Sequence, residues 1–221
     1  MCSIYSIKST VNELLDFYQA VVPPEDKDYA IPDRIYPRKL APVVISENDQ
    51  LVIKPMIYSL IPHWSKDLKK TLSYSTYNAR IETVAEKATF KEPFKKKHCL
   101  VPLSEFFEPI YQGAHAGFMV RFFEKNQKLL TVAGIYDTWI NPDSKESLSS
   151  FAIITDQPLP FVAAIGHQRS PIFLAENGYA EWLSDEKRDV QEIKKVLKTF
   201  HIRPDLEAQN DRALKSKQKK A

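Results

Sequence analysis

Three short apolar segments follow one another in the middle of the chain, and turn-forming residues separate them. The segments are Phe106–Tyr111, Phe118–Phe123 and Leu129–Ile135, with separators near Gly113–Gly117 and Lys125–Lys128. Apolar runs of this length joined by such short loops are typical of antiparallel strands. The pattern therefore predicts a sheet in which consecutive strands pair as hairpins.

Further segments extend this sheet and surround it with helices. Val43–Ile45 and Leu51–Ile53 flank a turn-like run and are predicted to pair as a hairpin. Other strands are predicted at Cys2–Ile7, Cys99–Pro102 and Ser149–Thr155. Helices are predicted after a Thr10/Glu13 capping box and at Thr83–Ala88, Leu159–Ile165, Glu176–Leu183 and Asp185–Phe200. We expect an α+β fold, a single domain with a mainly antiparallel, barrel-like β-sheet and peripheral helices.

Length and composition agree with one domain. The chain has 221 residues, of which 43% are hydrophobic and 27% charged, enough to bury a core. We expect the domain to cover residues 1–211 and the basic segment 212–221 to be a disordered tail. No apolar run approaches the ~20 residues of a membrane span, and no signal peptide is visible. We expect a cytoplasmic, nucleoid-associated monomer without membrane contact.

The two cysteines, Cys2 and Cys99, belong to no C-x-x-C pair. This usage predicts neither a disulfide framework nor a zinc site, and we predict no metal or cofactor. Cys99 lies in an apolar strand segment and is expected to be a buried small hydrophobic residue.

The net charge of +3 is mild, but the basic residues are unevenly distributed. Lysines and Arg80 concentrate between residues 66 and 97, interleaved with aromatic residues at 74, 77, 90 and 94. This mixture suits phosphates and base stacking in single-stranded nucleic acid. A solvated lysine-rich face explains it equally well.

Cys2 would become the first residue after removal of Met1, because methionine removal requires a small second residue. The exposed α-amine and thiol would then form a 1,2-aminothiol, and both have pKa values near 8. Such a group captures an aldehyde as a Schiff base, which the adjacent thiol closes into a thiazolidine ring. A cysteine that merely follows the initiator methionine is the alternative.

Six segments of the sequence carry a resemblance to a known family. In chain order they are MCSIY at 1–5, YSLIPHW at 58–64, YNARIET at 77–83, HCLVPLSEFFEP at 98–109, AGIYDTW at 133–139 and AIGHQRSP at 164–171. Their order and spacing resemble the SOS response-associated peptidase family, the abasic-site processing proteins, to about Leu183.

The resemblance implies a function and a set of site residues. It implies that Cys2 captures abasic sites in single-stranded DNA as a covalent thiazolidine adduct, with AP-lyase, self-reversal and peptidase activities attached to the same site. Asn78 and Glu108 would hold and activate the amine, and His167 would move protons at the sugar. Residues implied to contact DNA are Arg80, Arg169, Trp64 and Pro109, the two arginines as phosphate clamps.

Two observations bear on how far the family's roles can be assigned to residues of this chain. Glu105 and Glu108 lie three positions apart on a predicted strand, so they should point to opposite faces and only Glu108 should reach the site. Departures from the family pattern, at Ser3, Ile4, Tyr58, Pro109 and Ser170, affect DNA contact and shape. Two other functions fit the sequence: an N-terminal nucleophile amidohydrolase using Cys2, and a non-covalent single-strand binding module.

Overall fold

A computed structural model describes residues 3–126 and 128–214. Cys2, for which the sequence predicts the nucleophile role, lies outside the described residues. The strands are β1 (Ile4–Ser6), β2 (Leu40–Glu47), β3 (Gln50–Tyr58), β4 (Asn78–Arg80), β5 (His98–Leu103), β6 (Glu105–Pro109), β7 (Phe118–Glu124), β8 (Leu130–Ile140), β9 (Ser147–Asp156), β10 (Ser170–Pro171) and β11 (Leu206–Ala213). The α-helices are α1 (Val11–Tyr18), α2 (Leu68–Ser73), α3 (Lys91–Lys96), α4 (Pro160–Ile165), α5 (Tyr179–Leu183) and α6 (Val190–Phe200), with 3₁₀ turns at Pro24–Asp26 and Glu176–Gly178.

Five strands close into a barrel. They pair in the order β9-β3-β2-β5-β8, and β8 pairs again with β9 to complete the ring. The β3–β9 and β4–β9 pairs are parallel, and the other ladders between these strands are antiparallel. A second sheet has the order β1-β6-β7-β11 and is antiparallel throughout. The predicted α+β, barrel-like single domain is confirmed.

One continuous apolar core fills the barrel and the space beneath the helices. Tyr58 and Phe151 stack with ring centroids 5.1 Å apart, and Tyr5 meets Tyr58 edge-on at 5.3 Å. Trp182 on α5 is fully buried and donates its indole N–H to the Cys99 carbonyl at 3.0 Å. Cys99 is itself fully buried, as predicted. No helix among residues 3–126 and 128–214 is long and apolar enough to cross a membrane.

Local sequence signals determine several of these elements as expected. In the β2–β3 hairpin, Asn48 and Asp49 both adopt positive φ, at 50° and 60°, which a two-residue turn matched to strand twist requires. The capping box of α1 forms, since Thr10 accepts from the Glu13 N–H and Glu13 accepts from the Thr10 N–H. The three β segments that suggested hairpins correspond to β6, β7 and β8.

Several predicted helices differ from the observed ones. The helix predicted at Thr83–Ala88 is a run of single turns, because the Ile81 N–H bond to the Thr155 carbonyl and burial of Val84 fix the chain path. The lysine-rich loop instead contains α3, anchored by buried Phe94. Helix α6 begins only after its N-cap, Asp189.

The domain boundary predicted after residue 211 falls inside β11. This strand continues to Ala213, where pairing with β7 supplies hydrogen bonds that a polar composition does not reveal. Residues 215–221, the rest of the predicted tail, lie outside the described residues, so the disordered tail stays a prediction.

Candidate active site

Glu108 lies near the end of β6 and faces the protein interior, where it is fully buried. Glu105 points to the other face of the same strand and pairs with Arg121 at 3.0 Å. The sequence argument from strand alternation is therefore met by the geometry. Burial raises the pKa of the Glu108 carboxyl to about 7, because a carboxylate is poorly solvated there.

His167 approaches Glu108 from the loop that follows α4. Gly166 caps the C-terminal end of this helix, and its φ of 106° turns the chain so that His167 follows directly. The imidazole Nδ1 lies 2.9 Å from the Arg169 carbonyl oxygen, and Nε2 lies 3.3 Å from Glu108 Oε2. Burial lowers the pKa of His167 to about 4, so the ring is neutral at physiological pH.

The contact between the two side chains defines which of them can donate a hydrogen. Nδ1 also lies 3.4 Å from the Arg169 N–H, but the shorter contact to the Arg169 carbonyl, which can only accept, favours the neutral tautomer with the hydrogen on Nδ1 and a lone pair on Nε2 toward Glu108. A protonated Glu108 can donate to that lone pair. A carboxyl with a pKa of about 7 both gives and takes a proton near neutrality, which is the requirement for general acid–base chemistry.

Burial of Glu108 predicts a pH-dependent loss of stability. Its pKa is about 7 in the folded protein against an ordinary 4.5, so between these values the folded state holds a proton that the unfolded chain has released. Stability should therefore fall as pH rises through this window, by about 3 kcal/mol in total. Glu108→Gln cannot ionise and should lack this loss. Urea unfolding of both proteins at pH 5 and pH 8 measures it.

The comparison with wild type isolates the Glu108 contribution. His167 gives the opposite sign, since its lowered pKa means that stability is lost as pH falls from about 6.5 to about 4. That contribution is present in both proteins and largely cancels in the difference. A wild-type to Glu108→Gln difference that stays constant from pH 5 to pH 8 would contradict a raised Glu108 pKa.

Asn78 and Arg80 enter the site from β4, which pairs in parallel with β9. Side chains alternate along a strand, so these two residues share one face. Asn78 is buried while Arg80 is exposed. Arg80 forms no ion pair with a carboxylate in the described part of the chain, which leaves its guanidinium available to a ligand.

Arg169 has a different environment from Arg80. Its guanidinium makes a bidentate pair with Glu82, both contacts at 2.8 Å, and donates to the Thr155 hydroxyl at 3.2 Å and carbonyl at 2.7 Å. Four of its five donors are thus used within the protein. Arg169 also supplies the carbonyl that orients His167. The observed geometry makes Arg169 and Glu82 braces of the His167 loop, while DNA contact by Arg169 stays a prediction.

A cleft of about 310 Å³, here called the His167 cleft, opens at this point of the surface. Its lining residues are Arg80, Pro109, Tyr111, Gln112, Gly166, His167, Gln168 and Arg169. The cleft thus unites four predicted site residues: Arg80, Pro109, His167 and Arg169. Sequence reasoning missed Tyr111 and Gln112. Their only signal was their position just after the HCLVPLSEFFEP segment.

Trp64 does not line this cleft. It is half exposed in the loop after β3, beside His63, whose ring contacts the buried Asp137 at 2.9 Å. Its predicted DNA contact would therefore lie outside the His167 cleft and stays a prediction.

Strand β6, which carries Glu108, has β1 as its neighbour in the sheet. Strand β1 pairs with β6 in the register Ile4↔Phe107 and Tyr5↔Phe106. Continued by one residue, this register places Ser3 opposite Glu108.

Comparisons with known proteins agree with the motifs. A family model described as SOS response associated peptidase (SRAP) matches residues 1–210. The chain is 26% identical over 208 residues to abasic site processing protein YoqW of Bacillus subtilis, covering 94% of this chain and 91% of that protein. It is 29% identical over 205 residues to abasic site processing protein HMCES of Pongo abelii, covering 75% of this chain and 58% of that protein.

Solved structures share the fold. A protein from Bacteroides thetaiotaomicron superimposes with a TM-score of 0.80 at 23% identity, covering 96% of this chain and 92% of that one. Another, from Bordetella bronchiseptica, has a TM-score of 0.79 at 20% identity and covers 96% and 100%. With a family model that matches residues 1–210, the chain belongs to the SOS response associated peptidase (SRAP) family.

Proposed function

We propose that this chain processes abasic sites in single-stranded DNA and that Cys2 captures the sugar aldehyde covalently. The observation that carries the proposal is the buried Glu108–His167 pair, with Nε2 and Oε2 at 3.3 Å, on the strand that pairs with β1. The abasic-site part is supported by the names of the relatives.

The capture requires removal of Met1 and consumes no co-reactant. The α-amine of Cys2 attacks the aldehyde carbon and gives a carbinolamine, which loses water to form a Schiff base. The thiol then adds to the imine carbon, and the nitrogen takes up the thiol proton. One molecule of water is released overall, and the product is a thiazolidine ring. The same steps in reverse, with water added, would release the DNA.

Glu108 matches the proton requirements of these steps, and the neutral ring of His167 is placed to accept a proton from it. The amine must lose a proton to attack, and the departing hydroxyl must gain one. A carboxyl with a pKa of about 7 can do both near neutral pH, and the Nε2 lone pair of His167 can relay the proton. Asn78 adds hydrogen bonds without adding charge.

The His167 cleft suits a single strand. Arg80 presents an exposed guanidinium at its rim, and planar guanidinium fits phosphate oxygens. A recessed pair such as Glu108 and His167 is reached more easily by an unpaired backbone than by a stacked duplex. We therefore expect faster adduct formation with single-stranded than with duplex abasic DNA.

Intact-mass measurement tests the proposal directly. Purified protein is incubated with an abasic single-stranded oligonucleotide, and the masses of protein and DNA are read together. The proposal requires a species equal to protein without Met1 plus DNA minus one water. Unchanged protein and DNA masses would favour a non-covalent binding module or an amidohydrolase. A shortened oligonucleotide would reveal an accompanying lyase step.

The two arginines of the cleft should respond differently to replacement. Arg80→Gln should flatten the slope of log affinity against log salt by about 0.7, one phosphate contact on a single strand, with little change in stability. Arg169→Gln should instead destabilise the fold by about 1–3 kcal/mol, because it breaks the four hydrogen bonds to Glu82 and Thr155.

These effects can be measured without covalent trapping. The probe is a single strand carrying a tetrahydrofuran abasic analogue, titrated at several salt concentrations, with urea unfolding of each variant. Equal salt slopes for wild type and Arg80→Gln would argue against a phosphate contact at Arg80. Unaltered stability of Arg169→Gln would argue against its bracing role.

A further inference from the structure

Tyr111 is the most exposed large aromatic residue of the described chain, with 75% of its surface accessible. It lies two residues after Pro109 and lines the His167 cleft together with Arg80 and His167. In the described part of the chain its ring takes part in no aromatic or cation–π pair, and its hydroxyl makes no hydrogen bond. Tyr111 therefore presents an open aromatic face in a cleft that also holds an exposed arginine, the combination that binds single-stranded nucleic acid.

The loop that carries Tyr111 is held against the His167 loop. A Cβ at Gly166 would lie 2.8 Å from the Gln112 carbonyl oxygen, and Gly166 also has a φ of 106°. Only glycine permits both this backbone conformation and this close approach. Hydrogen bonds from Gly117 N to the Ile110 carbonyl and from Ile110 N to the Phe118 carbonyl close the base of the loop. These contacts hold the backbone of the Tyr111 loop next to the His167 loop, while the Tyr111 ring itself is exposed.

We infer that Tyr111 stacks on the nucleobase that flanks the abasic site, an inference that rests on the proposed function. A base next to a missing base has lost one stacking neighbour, so one of its faces is open to an aromatic ring. Tyrosine supplies such a ring beside the arginine that suits the neighbouring phosphate. Stacking tolerates any base sequence, because every base has a π-face. Tyr111 is thus a positioning residue that aligns the strand and reacts with nothing.

The test separates stacking from general binding by removing the flanking base from the DNA and the Tyr111 ring from the protein in turn. The probes are single strands with a tetrahydrofuran analogue at the lesion and either a normal base or a second tetrahydrofuran on its 5′ or 3′ side. The proteins are wild type, Tyr111→Ala, Tyr111→Phe and the control Phe17→Ala, an exposed aromatic residue outside the cleft. Adduct yield on a true abasic strand is measured in parallel.

For wild type and Phe17→Ala, removing one of the two flanking bases should weaken binding about 10-fold. Tyr111→Ala should bind the normal probe about 10-fold more weakly and lose its sensitivity to that base, whereas Tyr111→Phe should stay within about 2-fold of wild type. Sensitivity that persists in Tyr111→Ala would overturn the inference, while adduct formation by wild type would leave the proposed function standing. Absence of both binding and adduct would overturn both.

Discussion

Replacing Cys2 by alanine should abolish the covalent adduct while leaving most of the non-covalent affinity. The substitution removes the thiol that closes the thiazolidine, and it leaves the cleft and its arginine unchanged. A Schiff base from the remaining amine would still form, but it hydrolyses readily and should not survive denaturation. A denaturing gel after incubation with abasic single-stranded DNA gives the measurement. Full adduct yield from Cys2→Ala would refute the mechanism.

Cys99 provides the matched control. It is the other cysteine of the chain, it is fully buried, and burial raises the pKa of its thiol well above the usual range. An inert thiol of this kind should make no contribution to capture. Cys99→Ala should therefore keep the adduct yield, at a modest cost in stability from the small cavity. Loss of the adduct in both cysteine variants would point to a folding defect instead of lost chemistry.

A second variant tests the amine separately from the thiol. An uncleaved extension before Cys2 keeps the thiol but converts the α-amine into an amide, which cannot form a Schiff base. Its adduct yield should fall nearly as far as that of Cys2→Ala. Intact mass before the reaction confirms whether Met1 or the extension is still attached. A normal yield from an extended chain would assign capture to a thiol alone and exclude the 1,2-aminothiol.

The sequence predicted the fold where local signals and tertiary structure agree. The short apolar strand segments, the turn-like run between Val43–Ile45 and Leu51–Ile53 and the Thr10–Glu13 capping box each have a short-range cause, and each is present in the structure. Strand β11 was missed because its residues are mostly polar and it exists through pairing with β7. The closing of β8 onto β9 was expected only as a barrel-like shape, since register between distant strands has no local signal.

For the candidate site too, some features were predicted from the sequence and others were found only in the structure. Motif resemblance selected Glu108 and His167, and the structure places their side chains 3.3 Å apart although they are distant in sequence. The motif resemblance did not reveal that the Arg169 guanidinium donates to Glu82, because hydrogen-bond partners depend on the folded chain. The sequence also did not single out Tyr111, because its candidate role depends on the exposure of its ring, and exposure cannot be read from one sequence.

Replacing His167 by alanine should slow adduct formation by about 10²-fold or more while leaving the final yield nearly unchanged. An abasic sugar exists mainly as a closed hemiacetal, so a proton must leave the anomeric hydroxyl and another reach the ring oxygen before the amine can attack. The Nε2 lone pair of His167, 3.3 Å from Glu108 Oε2, lies where such a proton can be exchanged. Cys2 remains intact in the variant, so the reaction still reaches completion.

Reversal of the adduct should slow by a similar factor, because the forward and reverse reactions share one transition state. Single-turnover kinetics in both directions, with His98→Ala as the matched control, separates this role from a structural one. His98 is buried against Trp182 with ring centroids 4.0 Å apart, so replacing it also costs stability. His98 does not line the His167 cleft. If both variants lose stability and only His167→Ala reacts slowly, the proton path runs through His167. Equal rates in the two variants would leave Glu108 as the remaining proton carrier of the pair.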